Sequence, residues 1–331
     1  MQRRIVAVAL FAAALLMMAI AALNATVQAA PPVQELKGDA QRGAYVFAAA
    51  AGCGCHITAA GFLAGGQKFD LGPAGVVYSR NITSDPETGI GNWTEAEIVT
   101  TIRTGKTPDG ETLFPVMPYM TYSGMADQDA YDLAAFIKTA PPIKNETPKD
   151  DIKVPIPPFS PPKAPATAPT EGVTRGEYLV KNVSDCSGCH TPTDAQGAPD
   201  MTKFLAGAPI EGELSANITP DKETGIGNWT EEQIANLLKT GQRPDGSAVS
   251  GLMALVVQGG FSKLTDADRA AIAAYLKTIP AVNNVPKAPA ALPSTGGNLY
   301  NLPLTLALVS LGGVLLIVGV FVWRSSARRK M

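Results

Sequence analysis

Cys186-Ser187-Gly188-Cys189-His190 is the stretch that decides how this chain is read. The 331 residues contain two histidines and four cysteines, and all six fall in this run and in a second one, Cys53-Gly54-Cys55-His56. C-x-x-C-H is the spacing of c-type haem attachment. Two thiols about one helical turn apart reach two vinyl groups on one porphyrin edge, and the next residue brings an imidazole to the iron. Zinc would need four convergent ligands per site, and each cluster offers three on adjacent positions. A thioredoxin-like C-x-x-C would need a βαβ setting, and strand-like alternation is scarce. Haem therefore leads.

Haem iron takes a second axial ligand, usually Met or His, and both histidines are already used. An internal repeat, the first thing to seek in any sequence, points to the ligand. The block from Asn81 to Trp93, Asn-Ile-Thr-Ser-Asp-Pro-Glu-Thr-Gly-Ile-Gly-Asn-Trp, returns from Asn217 to Trp229 at an offset of 136, with only Ser84 and Pro86 replaced, by Pro220 and Lys222. The same offset carries Gly105 to Gly241, Asp109 to Asp245 and Met117 to Met253. Met120 falls on Val256, and Met125 on Leu264 once a three-residue shift is allowed. Met117 and Met253 are the expected axial ligands, opposite His56 and His190, although methionine also serves as a core gap-filler.

The first cluster is one residue short. Arg42 to His56 spans 15 residues where Arg175 to His190 spans 16. A shorter loop must stretch to present both sulfurs, and Gly54 is the residue expected to permit an unusual backbone there. The safer expectation is one thioether through Cys55, with Cys53 free or strained; double attachment stays open, as does a Cys53–Cys55 disulfide in a haemless domain.

Local patterns place these clusters among helices. Thr94-Glu-Ala-Glu97 and Thr230-Glu-Glu-Gln233 are capping boxes whose helices should close at Gly105 and Gly241. Thr265-Asp-Ala-Asp268 opens a helix with apolar residues at helical spacing, and Tyr131 to Ile137 is its counterpart. A helix from about Asp39 or Thr174 should run into each haem motif. Lys144 to Thr170 is rich in proline, which favours an extended, semi-rigid spacer; tethered or docked domains are both compatible with it.

With Arg42, Arg175, the two cysteine clusters and the paired blocks in view, each half resembles a class I cytochrome c domain. The Asn-Ile-Thr and Thr-Gly-Ile-Gly-Asn-Trp blocks, the Pro-Asp-Gly turns and Met117-Pro-Tyr resemble the cytochrome subunits of bacterial membrane-bound alcohol, aldehyde and gluconate dehydrogenases. The likeness covers about residues 38–143 and 172–280. Members of that family often carry three haem domains; this chain has two, and its first motif departs from the pattern. The resemblance implies an all-α fold of two tandem cytochrome c domains and two haem c groups per chain. One would be held by Cys186, Cys189, His190 and Met253, the other by Cys55, His56 and Met117, with Cys53 in doubt. It implies electron transfer between a redox donor, a membrane dehydrogenase or a respiratory or photosynthetic complex, and an acceptor, and no catalysis by the chain itself. The alternatives are a dihaem enzyme such as a peroxidase and a wall-anchored surface cytochrome.

The expected organisation is a signal peptide over 1–30, domain one over 36–143, a Pro-rich linker over 144–171 and domain two over 172–280. A Pro/Ala linker over 281–301, a transmembrane helix over 302–323 and a basic cytoplasmic tail over 324–331 complete it. The bulk of the protein would then sit on the extracytoplasmic face of the cell membrane. Leu292-Pro-Ser-Thr-Gly296 before that span is similar to a sortase signal, in which case Thr295 becomes a covalent link to the cell wall. Six of the 27 Lys and Arg lie at the two ends, leaving 21 against 29 acidic groups. Nucleic acid is excluded as a partner by that balance, and a basic redox partner would be steered toward it.

Overall fold

The computed structural model describes residues 36–193, 199–210 and 212–287. The expected signal peptide, the C-terminal linker beyond residue 287, the span over 302–323, the basic tail and Thr295 lie outside the described residues. No helix among the described residues is long and apolar enough to cross a membrane.

Domain one begins with α1 (Ala40–Ala49), started by Asp39, whose side chain accepts from the Arg42 N–H. After a 3₁₀ segment (Ala51–His56) come β1 (Lys68–Asp70), β2 (Gly75–Tyr78), α2 (Glu95–Thr104), the short α3 (Tyr119–Tyr122) and α4 (Asp127–Ile137). Domain two repeats the order with α5 (Gly172–Asn182), α6 (Cys186–His190), β4 (Pro209–Ile210), β5 (Glu213–Leu214), α7 (Glu231–Thr240), α8 (Gly251–Gly259) and α9 (Asp266–Leu276). Both capping boxes form as expected, and Gly105 and Gly241 end their helices in the left-handed conformation at φ 68° and 75°.

In each domain the first and last helices cross backbone to backbone at a glycine. A Cβ on Gly43 would lie 1.8 Å from the Asp132 carbonyl, and one on Gly176 would lie 1.9 Å from the Ala271 carbonyl. The arginine before each glycine clamps the crossing. Arg42 makes a two-pronged bond to Asp132 (2.7 and 2.8 Å), and Arg175 does the same to Asp268 (2.9 and 2.8 Å). Leu133, Ala134 and Leu179, buried to within 1% of full enclosure, form part of the core below.

The all-α expectation is corrected by the short strands. β1 and β2 pair antiparallel, Phe69 opposite Val77, and β4 and β5 form a second two-stranded ribbon. The third strand of the first sheet, β3 (Asp151–Ile152), comes from the proline-rich linker and pairs with β2, Gly75 opposite Ile152. The linker is therefore no open spacer in its first part. Phe159 packs its ring against Tyr119 at 5.5 Å. The Asp127 and Gln128 N–H groups donate to the Pro165 and Ala166 carbonyls (2.8 and 3.3 Å). Those donors need a partner because Ala126, at the N-cap of α4, has no side chain to offer one.

The two domains dock, and they do so by a reciprocal contact. Tyr45 on α1 donates to the Asp268 carboxylate (2.7 Å) and accepts from the Thr265 N–H (3.0 Å) at the start of α9. Tyr178, its counterpart on α5, donates to Asp129 (2.7 Å) and accepts from the Ala126 N–H (3.0 Å) at the start of α4. Gly260 lets the chain after α8 close on domain one, where a Cβ would meet the Ala48 carbonyl at 2.4 Å. One continuous apolar cluster draws on both domains.

Candidate functional site

Each cysteine cluster follows the first helix of its domain and ends in a histidine held the same way. His56 Nδ1 lies 2.7 Å from the Arg80 carbonyl, and His190 Nδ1 lies 2.7 Å from the Ala216 carbonyl. A backbone carbonyl can only accept, so Nδ1 carries the proton and Nε2 keeps its lone pair. Burial lowers both imidazoles below their ordinary value, which favours the neutral, ligating form. A neutral histidine with one nitrogen fixed by a carbonyl is the arrangement that orients a metal ligand. The donor set fits haem iron.

The loops that bring those carbonyls to the rings are built alike. Gly65 N–H bonds the His56 carbonyl (2.9 Å) and Gly207 N–H the His190 carbonyl (2.7 Å). Leu63 and Leu205, fully buried, stand in the left-handed conformation at φ 61° and 60°, a cost carried only where the surroundings demand it. Asn145 and Asn284, beyond the last helices, donate to the Ala64 and Ala206 carbonyls (2.8 Å each) and pin the loops. The repeated Asn-Ile-Thr blocks are the matching brackets. Asn81 donates to the Ile143 carbonyl (2.7 Å) and Asn217 to that of Val282 (2.8 Å), while each accepts from the threonine two residues on.

The expected axial methionines occupy different elements. Met117 stands in the turn just before α3 and Met253 in α8; both are partly buried against the core. Met125 is sealed in that core, and Met120 is 40% exposed. Cys53 and Cys186 are thiols packed partly against the core, Cys55 is exposed and Cys189 is half-buried. Burial pushes the Cys53 and Cys186 thiols up to about 12. Cys53 and Cys55 are not joined by a disulfide. Among the described residues no three His, Cys, Asp or Glu side chains gather as a closed zinc site requires.

The shortened motif does not use Gly54 as expected. The left-handed residues are Ala51, Gly52 and Cys53, at φ 55°, 68° and 46°. The strain sits before the missing residue's place, where the chain leaves α1, because the turn itself must still end at His56. Asp185, at φ 47°, is the single left-handed residue at the corresponding point of domain two. Its carboxylate accepts from Thr121 in α3 of domain one (2.7 Å), so the residue before one domain's haem motif touches the helix that follows Met117 in the other.

The cytochrome c family model matches residues 40–141 and again 173–280. The chain belongs to the cytochrome c family. It is 36% identical over 304 residues to the cytochrome c subunit of the quinone alcohol dehydrogenase of Komagataeibacter europaeus, covering 84% of this chain and 62% of that protein. It is 36% identical over 266 residues to a dihaem c-type cytochrome of Cereibacter sphaeroides, covering 75% of this chain and 88% of that one. A third relative, the cytochrome c subunit of gluconate 2-dehydrogenase from Pantoea cypripedii, is 34% identical over 269 residues, covering 72% and 59%. The chain thus spans less than two thirds of the dehydrogenase subunits it matches. As a cytochrome c with two such domains it carries two covalently bound haem c groups, and the resemblance read from the paired blocks holds.

Proposed function

We propose that this cytochrome c relays single electrons through two closed haem sites, His56 with Met117 and His190 with Met253. Haem supplies a one-electron iron couple, and thioether ligation raises its potential. The observation that carries the reading is the identical Nδ1-to-carbonyl bond of both histidines, at 2.7 Å in each domain. Those bonds leave two equivalent Nε2 ligands, one in each domain. The half-buried stations of Met117 and Met253, against a sealed Met125 and an outlying Met120, favour the two repeated methionines.

The relatives named as dehydrogenase cytochrome subunits support a dehydrogenase as the donor, and the reading is that this chain passes its electrons on to a second redox protein. The protein works on the extracytoplasmic face, held by the apolar stretch 302–323, with cleavage after Thr295 and wall attachment as the alternative. The test of ligation is the weak far-red charge-transfer band of methionine-bound ferric haem. It is expected at an intensity for two haems, halved by Met117→Ala or by Met253→Ala. A native band for no haem, with ready carbon monoxide binding by both ferrous irons, would refute the closed sites and favour a dihaem enzyme.

A further inference from the structure

The contracted motif of domain one is wound more tightly than its counterpart. In α6 the Thr191 N–H reaches back four residues to the Ser187 carbonyl (3.0 Å), whereas in domain one the Ile57 N–H reaches back three to Gly54 (2.9 Å). A 3₁₀ turn takes 3.0 residues and climbs about 2.0 Å per residue, against 3.6 and about 1.5 Å for an α turn. In regular windings two 3₁₀ steps rise about 4.0 Å and three α steps about 4.5 Å; here Gly52 and Cys53 are left-handed, and the tight winding runs only from Gly54 onward. The left-handed run Ala51, Gly52, Cys53 then redirects the chain entering the turn.

The leading thiols come to corresponding surroundings, while Cys55 is exposed where Cys189 is half-buried. Cys53, like Cys186, is half-buried against the core, and Gly54, like Gly188, stands exposed between the cysteines. Both leading thiols are pushed up chiefly by burial, with the motif's second cysteine, Cys55 or Cys189, among the further causes.

We propose that Cys53 as well as Cys55 is bonded to haem in domain one, the 3₁₀ winding and left-handed run making good the missing residue. The inference rests on the haem-attachment reading of both clusters. At each cysteine the S–H bond breaks and an S–C bond forms at the vinyl carbon next to the ring. The thiol proton goes to the terminal vinyl carbon and the C=C π bond is consumed, so no oxidant or reductant is required.

The test is alkylation of the denatured full-length holoprotein with iodoacetamide, followed by digestion and mass analysis. Expected is a haem-bearing peptide containing Cys53 and Cys55, neither alkylated, as for the peptide containing Cys186 and Cys189. A haem-bearing peptide with alkylated Cys53 overturns the proposal and leaves the attachment reading standing. A haem-free first peptide with both cysteines alkylated overturns the attachment reading for domain one, and the proposal with it. In addition, Cys53→Ala should move the pyridine haemochrome α-band of half the haem to longer wavelength, as an unreacted vinyl group does; an unchanged band overturns the proposal.

Discussion

Asp185→Asn is the substitution whose effect can be worked most directly from the structure. Burial pushes the Asp185 carboxyl up from 3.8 to about 6, against the lowering effect of the bonds from the Thr121 hydroxyl and the Gly188 N–H. A folded-state value above the unfolded one means that the native protein binds the extra proton. Stability contributed by this group is then full below about pH 4, falls as pH rises through the window from about 4 to 6, and levels off above it. The two-unit shift corresponds to about 2–3 kcal/mol. Asparagine tolerates the left-handed backbone at φ 47° and its side-chain oxygen can still accept from Thr121. The variant is therefore expected to match the wild type near pH 4 and to be about 1–3 kcal/mol more stable at pH 7. Denaturant unfolding of both holoproteins, followed by far-ultraviolet circular dichroism at four pH values, reads the difference. A constant offset at every pH, or a variant less stable at pH 7, would refute the argument from burial.

Four further substitutions probe the docking and the loops. Tyr178→Phe leaves the Asp129 carboxylate without its tyrosine donor and the Ala126 N–H without its acceptor. It should cost roughly 1–3 kcal/mol and split one cooperative unfolding transition into two, seen by calorimetry. Gly259→Ala meets no atom within 4 Å and should be tolerated, whereas Gly260→Ala drives a methyl to 2.4 Å from the Ala48 carbonyl; only the second should expose the domain contact to limited proteolysis. Asn217→Ala removes a 3%-exposed bracket that holds Val282 and Thr219, and should cost roughly 2–4 kcal/mol, with faster amide exchange in the loop after His190.

The parts of this fold that were legible beforehand are those written in side-chain identity at short range. Thr94 with Glu97, Thr230 with Gln233, and the closing Gly105 and Gly241 state their helices locally, and Cys186 to His190 states its chemistry. What was hidden is written in the backbone or at long range. Arg80 and Ala216 share nothing as side chains, yet their carbonyls do the same work on His56 and His190. The strands are two to four residues long, too short for alternation to register, and β3 is contributed from more than seventy residues beyond β2. Tyr45 and Tyr178 recur at matching positions, but a tyrosine on an amphipathic helix announces no partner. The linker's prolines were visible, whereas its use to satisfy Asp127 and Gln128 depended on the absence of a cap at Ala126.

Bound along domain one as far as Ala166, the linker leaves only residues 167–171 before α5 begins. The two domains accordingly meet at an effective concentration of at least the millimolar order. At that value an interface with an intrinsic Kd of only about 10 µM stays closed about 99% of the time. The tyrosine pairs therefore need supply no more affinity than a transient encounter complex, and selection can tune their geometry for the separation of the two redox centres instead of for strength.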